Sequence, residues 1–600
     1  MRANNIFSPC NSMEIQDKSI MAKIKTKLAK ENDHGFVEYK LKLTGIEEER
    51  FNHLVSQMKY RLSEGEGEAI YEIGVTDDGI PQGLEEDEYK ETLQNIRRMA
   101  SKLGADVTVL CEKQVTKEEP KRHCAELLVR KYVEDCYVDV RVAVAGEQAA
   151  GKSTLIGVLT SGELDDGEGS ARTNVFLHSH ELESGQTSAL SHQILAFDSK
   201  GNVINYSPYG QQPWQAVIEQ SSKICTFIDL AGHKKYLKTT VKGIAGTEPD
   251  YVCLVVGATT GVSEMTKEHY KLAAALKLSI FVVITKTDIA SKDQLQKTKE
   301  DIKKLLTALP GRYNPTYVDT YDDVMSVAKA LNNRERLCPI FEVSSVTNRN
   351  MDLIRQLLNV LPCYRDWSEV KNEPFECTID KVFNLDEVHG LVVSGLVRKG
   401  HIFLGDTVQL GPSKKGAFYK VVVQSIHRNH VSTRYAEAGN MISLEIRHVG
   451  QPEIKKDHLA MLLSKARGLH LLGLENPMAV KAFEARVLVH LQQKCFQKNY
   501  EPLVHTRNFS QPARIVSIKK VKSSKCGKIE DTPTIDEPMP EFEHSTQLLE
   551  TGDHAVVRFE FCIAPVYVAT NDRLLFREGN LKGIGTITSI DDGHGGGNES

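Results

Sequence analysis

Gly146-Glu-Gln-Ala-Ala-Gly-Lys-Ser153 spaces one glycine, four residues and then Gly-Lys-Ser, followed by Thr154. That spacing lets backbone N–H groups face phosphate oxygens, with Gly146 and Gly151 shaping the turn. Lys152 is placed to bridge β- and γ-phosphate oxygens, and the Ser153 hydroxyl is placed on a magnesium ion. Some eighty positions on, Asp229-Leu-Ala-Gly-His233 supplies a carboxylate near that metal, a small residue at Gly232 for close approach to the γ-phosphate, and a histidine where attacking water would sit. Between them, the Gly-containing loop Glu183-Ser-Gly-Gln-Thr187 offers Thr187, preferred over Thr173, as a hydroxyl that reaches the metal only when a triphosphate orders the loop. The chemistry these residues fit is hydrolysis of a nucleoside triphosphate, with His233, Lys152 and Thr187 as the catalytic set and Ser153, Thr187 and Asp229 around Mg2+.

Thr285-Lys286-Thr287-Asp288 selects the base. An aspartate carboxylate accepts two N–H bonds from the guanine edge, and adenine does not offer that donor pair. Ser344-Ser345 ends another apolar run and supplies a backbone N–H for the guanine carbonyl. The nucleotide is therefore expected to be GTP. His178 and His180 look like a metal pair, but no cysteine or carboxylate cluster completes a zinc site around them.

These residues need a scaffold of strands that end at the nucleotide. Residues 137–145 form an alternating to apolar run that delivers the glycine-rich turn, and the segment from Lys152 to Thr160 follows as a helix. Apolar runs at 225–228, 251–256, 280–284 and 340–343 alternate with helix-length segments, the pattern of a parallel sheet buried on both faces. After Trp367 the chain turns to short Val/Ile/Gly-rich strands with close turn signals, which fits small β-barrels. The expected architecture is multidomain α/β plus all-β: a leader at 1–34, a small α+β domain at 35–135, a P-loop domain with a parallel sheet at 136–368, β-barrels at 369–476 and 477–590, and a Gly-rich tail at 591–600.

Six hundred residues with a net charge of −5 exclude a chain that binds nucleic acid through overall basicity. Twelve cysteines without a Cys-x-x-Cys pair, and no apolar run of membrane-spanning length, point to a soluble protein in a reducing, cytoplasmic setting with no membrane partner. Basic residues do concentrate between Lys494 and Lys528, where Lys498, Arg507, Arg514, Lys519, Lys520, Lys522 and Lys525 are interleaved with Tyr500, His505 and Phe509. Such a face suits RNA, and equally a strand edge guarded by lysines.

With these segments assembled, the chain resembles the elongation-factor-like translational GTPases, and within them the branch called GTP-binding protein 1 and GTP-binding protein 2. The resemblance runs from about Tyr137 to Ile590. Its most specific segments are 157–165, 180–188, 229–240, Met265-Thr-Lys-Glu-His269 and Phe576-Arg-Glu-Gly579. It implies a GTPase domain and two barrels acting monomerically on the ribosome, with tRNA or a tRNA-like partner held near Arg507 and Arg514. A GTP-dependent scaffold in RNA decay with little hydrolysis is the rival expectation. The chain departs from the family at two places. Gln148 and Ala149 replace a Val-Asp pair in the cradle, which removes a carboxylate beside the β–γ bridge and predicts slow hydrolysis. Gln148 and Gln186 stand where elongation factor Tu flanks its histidine with apolar side chains, which predicts a polar gate around His233.

Overall fold

The computed structural model describes residues 31, 35–115, 121–131, 137–176, 179–188, 190–207, 210–308, 313–332, 335–385, 388–450, 454–464, 468–489, 496–521, 542–545, 548–549, 554–578 and 580–591. The leader apart from residue 31, His178, Lys494, Lys522, Lys525, Lys528 and the tail beyond Asp591 lie outside them. The chain divides into two compact units, residues 1–133 and 134–600.

The first unit has a four-stranded sheet in the order Val37–Lys40, Glu68–Ile73, His123–Lys131, Ala105–Gln114, in which only the first pair is parallel. The helices Glu48–Glu64 and Glu86–Lys102 bury Phe51, Leu54, Met58, Ile96 and Met99 against Tyr71, Leu127 and Val129 of the sheet. The spacing of these apolar side chains is what predicts helices in this stretch, since positions three and four apart share one face.

The second unit begins with a seven-stranded sheet ordered Asn314–Tyr317, Leu337–Glu342, Ser279–Thr285, Tyr251–Gly257, Val138–Gly146, Lys223–Asp229, Ser191–Phe197. Its pairings are parallel except at the last strand, Ser191–Phe197, which runs antiparallel to Lys223–Asp229. The sheet is therefore mixed at one edge rather than parallel throughout. Tyr251–Gly257 is buried along its whole length, as a strand covered on both faces must be. Helices are bounded by local chemistry. The Ser291 hydroxyl accepts the Gln294 N–H while the Gln294 side chain accepts the Ser291 N–H, which starts Lys292–Thr307. The core of the sheet joins Val252, Leu254, Ile280 and Val282 with Ile244, Tyr270 and Ile302 from the helices. Each such side chain contributes about 1.5–3 kcal/mol by leaving water.

Two six-stranded barrels follow. In the first, Thr407–Gly411, His470–Leu472, Glu376–Phe383, Leu391–Lys399, Met441–His448 and Tyr419–Arg428 form a ring, closed by pairing of the last with the first. In the second, Leu503–Thr506, Arg573–Glu578, Asn580–Ile590, Ala482–Val489, His554–Phe561 and Phe509–Val521 close in the same way. Closure leaves no free edge in either ring. Period-two burial along Met441–His448 and Ala482–Val489 fills each interior. Phe483, Phe559, Phe561 and Phe576 form the aromatic centre of the second barrel.

Candidate functional site

The Val138–Gly146 strand delivers the cradle to the helix Lys152–Ser161, whose first residues are buried. Three strand ends converge here because neighbouring parallel strands finish at the same edge of the sheet. A small pocket is lined by Gln148, Gly151, Lys152, Arg172, Thr187 and His233, among others. It brings together the cradle, the Thr187 loop and the Asp229-to-His233 segment, which are far apart in the chain.

The Lys152 ammonium donates to the Glu147 carbonyl at 2.8 Å. Burial, only partly offset by Asp229, lowers its pKa to about 8. An anion arriving in the pocket would relieve that desolvation. The Ser153 hydroxyl donates to Asp229 Oδ2 at 2.6 Å, and the Thr187 hydroxyl lies 2.8 Å from Ser153 Oγ and 3.2 Å from the same carboxylate oxygen. Asp229 Oδ1 is buried without a hydrogen-bond partner among the described residues, and burial raises the carboxyl above its ordinary value. Two hydroxyls gathered on Asp229 Oδ2, with the other oxygen of that carboxylate unmatched among the described residues, are hard oxygen donors that suit a small divalent cation. Thr173, the alternative to Thr187, instead donates to the Ser170 carbonyl at 2.7 Å.

Gly232 is seated against the cradle. A Cβ there would collide with Lys152 Nζ and lie 2.5 Å from Gln148 N and 2.6 Å from Glu147 C. His233 is exposed, its Nδ1 accepts the Lys235 N–H at 3.0 Å, and its ring is 6.2 Å from Tyr236. Gln148 and Gln186 line the same pocket as His233.

At the base end, Thr285 is buried and its hydroxyl donates to the Ala150 carbonyl at 2.6 Å, tying the strand end to the cradle. Lys286 adopts φ 58°, which turns the chain so that Asp288 is exposed. The Ser344 hydroxyl accepts the N–H groups of Val346 and Thr347, and Ser345 lends its carbonyl to the Asp165 N–H. Thr287 joins the two base elements by donating to the Val343 carbonyl at 3.0 Å.

Two residues beside the cradle went unassigned in the sequence. His269 Nδ1 accepts the Gly146 N–H at 3.1 Å. Burial, reinforced by Lys152, pushes its pKa down to about 3, so it braces the cradle as a neutral imidazole. Arg172, from the short helical turn Ser170–Asn174, reaches into the same pocket. His269 had a faint signal as part of a family-like segment. Arg172 had none.

The expectation for Arg507 is overturned. Its guanidinium is buried between the barrels, with Nη1 2.6 Å from Glu376 Oε1 and Nε 2.7 Å from Asp572 Oδ2. Nη1 also lies 2.9 Å from His470 Nε2. Burial opposes the charge, yet Asp572 and Glu376 together raise Arg507 above the usual guanidinium value. A side chain so enclosed cannot meet a phosphate backbone. His505 and Phe509 are buried too, and of the interleaved aromatic residues Tyr500 alone is half-exposed. Arg514 is exposed and pairs with Glu501 at 3.0 Å, and Lys519 is exposed as well. His180 Nε2 is hydrogen-bonded to Ser188 Oγ at 2.7 Å, and His178 lies outside the described residues.

The fold and the site define a P-loop GTPase with two appended β-barrels, the architecture of translation factors. Residues 139–363 match the elongation factor Tu GTP binding domain. GTP-binding protein 2 of Mus musculus is 38% identical over 570 residues, covering 94% of this chain and 88% of that protein. GTP-binding protein 1 of Xenopus laevis is 39% identical over 557 residues, covering 92% and 78%. Translation elongation factor SelB of Methanococcus maripaludis in complex with the GTP analogue GppNHp superposes with a TM-score of 0.52 at 18% identity, covering 77% of this chain and 80% of that one. That likeness is one of fold. The chain belongs to the GTP-binding protein 1 and 2 family of translational GTPases, and it binds and hydrolyses GTP. Among the described residues no helix is long and apolar enough to cross a membrane.

Proposed function

We propose that this chain is a cytoplasmic, monomeric translation-factor GTPase that works on the ribosome with tRNA or a tRNA-like partner, and whose hydrolysis waits for that partner. The observation that carries this reading is the contrast within one pocket. Ser153, Thr187 and Asp229 have already converged, whereas His233 is exposed and held by the Lys235 amide. The groups read as the metal's ligands stand together, and the residue read as orienting water lines the same pocket while exposed and tied to a backbone amide. A large partner pressing on this surface would free the imidazole from the Lys235 amide.

In this reading Lys152, Gly146, Gly151 and Thr154 hold the phosphates, and Ser153, Thr187 and Asp229 hold Mg2+. When bound, that ion neutralises charge on the β- and γ-phosphate oxygens. Asp288, Lys286, Thr285, Ser344 and Ser345 form the guanine end. Water attacks the γ-phosphorus, the β–γ bridging bond breaks with its electrons going to GDP, and the water proton leaves with phosphate. His233 orients that water through a hydrogen bond. Lys498, Arg514 and Lys519 are exposed cations of the basic stretch on the second barrel, available to RNA.

Single-turnover GTP hydrolysis with and without ribosomes tests the reading. Ribosomes should accelerate the wild type by about 10²-fold or more, within the range set by supplied activators. His233→Ala should abolish the acceleration with GDP affinity intact. Equal rates with and without ribosomes, or stimulated hydrolysis that survives His233→Ala, would overturn it. RNA contact is read separately, as salt-dependent tRNA binding weakened by Arg514→Ala.

A further inference from the structure

Arg172 stands in the phosphate pocket as a cation that no part of the reading above uses. Its carrier is firmly built. Ala171 is buried and packs so tightly on the helix Lys152–Ser161 that a Cβ on Gly157 would collide with the Ala171 carbonyl. The two carboxylates before the turn fold it locally. Asp165 accepts the N–H groups of Gly167 and Ala171, and Asp166 accepts those of Glu168, Gly169 and Ser170. The Asp165 N–H in turn donates to the Ser345 carbonyl, fastening the turn to the guanine end of the site.

The side chain itself is lightly held. Its hydrogen bond is to the Glu168 carbonyl, at a long 3.3 Å, and among the described residues no carboxylate pairs with it. Two glycines leave room for it. A Cβ on Gly169 would stand 2.6 Å from its Cζ and Nε, and one on Gly185 would stand 3.0 Å from its Nη2. Gly185 belongs to the loop that carries Thr187, so the guanidinium and the Thr187 hydroxyl face the same pocket from adjoining segments. The cradle contributes no charge at Gln148 and Ala149. A guanidinium on a well-built turn, without a carboxylate partner among the described residues and lining the same pocket as Lys152 and Thr187, is the arrangement that electrostatic catalysis of phosphoryl transfer needs.

We infer that Arg172 is a catalytic residue of GTP hydrolysis, placed in cis on the γ-phosphate, where its N–H groups stabilise charge as the β–γ bond breaks. It takes no proton, because a guanidinium stays charged throughout. It exchanges the Glu168 carbonyl for phosphate oxygens when GTP binds. The inference rests on the GTPase activity of the family and not on the ribosome.

The test uses the full chain without ribosomes: single-turnover hydrolysis, GDP affinity, and trapping of the complex of GDP with aluminium fluoride, which mimics the transferring phosphoryl group. Arg172→Ala should slow hydrolysis by about 10²-fold or more and lose the aluminium fluoride complex, with GDP affinity within about threefold of wild type; arginines in this role are worth roughly 10³–10⁵. Arg172→Lys should recover little, since an ammonium lacks the two parallel N–H donors. Hydrolysis within about threefold of wild type with trapping retained overturns the inference. So does a matched loss of GDP and GTP affinity in a variant that melts like the wild type, which would make Arg172 a ground-state contact.

Discussion

Replacing Arg507 by alanine should unfold the contact between the barrels rather than weaken RNA binding. The guanidinium satisfies Glu376 at 2.6 Å and Asp572 at 2.7 Å, with both carboxylates as enclosed as the arginine itself. Removing it strands two buried negative charges, and breaking a buried ion pair from one side costs about 3–5 kcal/mol. Arg398 lies 3.8 Å from Glu376 and offers partial relief, which places the expectation near the lower end of that range. The chain has two tryptophans. Trp367 packs on Leu396 and Ala438 of the first barrel, so its fluorescence in a Trp214→Phe background reports urea unfolding of this region. The midpoint should fall clearly in Arg507→Ala. It should recover in the triple variant Arg507→Met, Glu376→Gln, Asp572→Asn, where no buried charge is stranded. Transfer RNA affinity, measured where the variant is folded, should be unchanged. A variant as stable as the wild type that has lost tRNA binding would refute the structural role and return Arg507 to the RNA-contacting surface.

Thr285→Val removes the donor to the Ala150 carbonyl and leaves a buried acceptor unpaired, so GDP affinity by fluorescent nucleotide titration should weaken by about 5- to 100-fold, equivalent to roughly 1–3 kcal/mol; an unchanged affinity would deny that this bond supports the cradle. Gly232→Ala forces a Cβ into Lys152 and the backbone at 147–148. GTP should no longer protect the Thr187 loop from limited proteolysis, while GDP still binds. Asp229→Asn should stabilise the nucleotide- and metal-free protein at pH 7 and shift the Mg2+ concentration needed for GTP binding upward by about tenfold or more. The sign follows from burial, which raises the Asp229 pKa. Its ionised form costs stability above the folded pKa, and the cost vanishes below the unfolded one, about 3.9. The melting-temperature gain in EDTA should therefore disappear near pH 3, and a gain that persists there would contradict the assignment.

Much of the phosphate site was legible because its demands are local. Gly146 to Ser153 must be consecutive to make a cradle, and Asp229 must end a strand beside it. The choice of Thr187 over Thr173 followed from chain flexibility, and the structure places Thr187 beside Ser153. What stayed hidden depends on partners remote in sequence. The edge strand Ser191–Phe197 mixes polar and apolar residues, and pairing with Lys223–Asp229 decides it. Arg507 reads as a surface cation because Glu376 lies in the other barrel and Asp572 on a later turn. Charge in a sequence says nothing about burial once distant carboxylates can enclose it. Arg172 fails for the opposite reason: its loop is rich in glycine and acid and carries no periodicity.

The same remote contacts give the site its reach. The helix Leu237–Thr247 starts four residues after His233 and packs on the second barrel, where a Cβ on Gly246 would stand 3.2 Å from the Asn508 Cα. Asn508 is also hydrogen-bonded to the Ile379 carbonyl of the first barrel, beside Arg507. Glu248, just past the helix, pairs with Arg365 and Arg398, and Arg573 donates to the Leu276 carbonyl at 2.8 Å. Gly232 at the cradle and Gly246 at the barrels are thus joined by one short segment, a 3-10 turn followed by a helix. Packed interiors transmit displacement rather than absorb it. A displacement of Gly232 would therefore bear on Asn508, beside the buried Arg507 cluster.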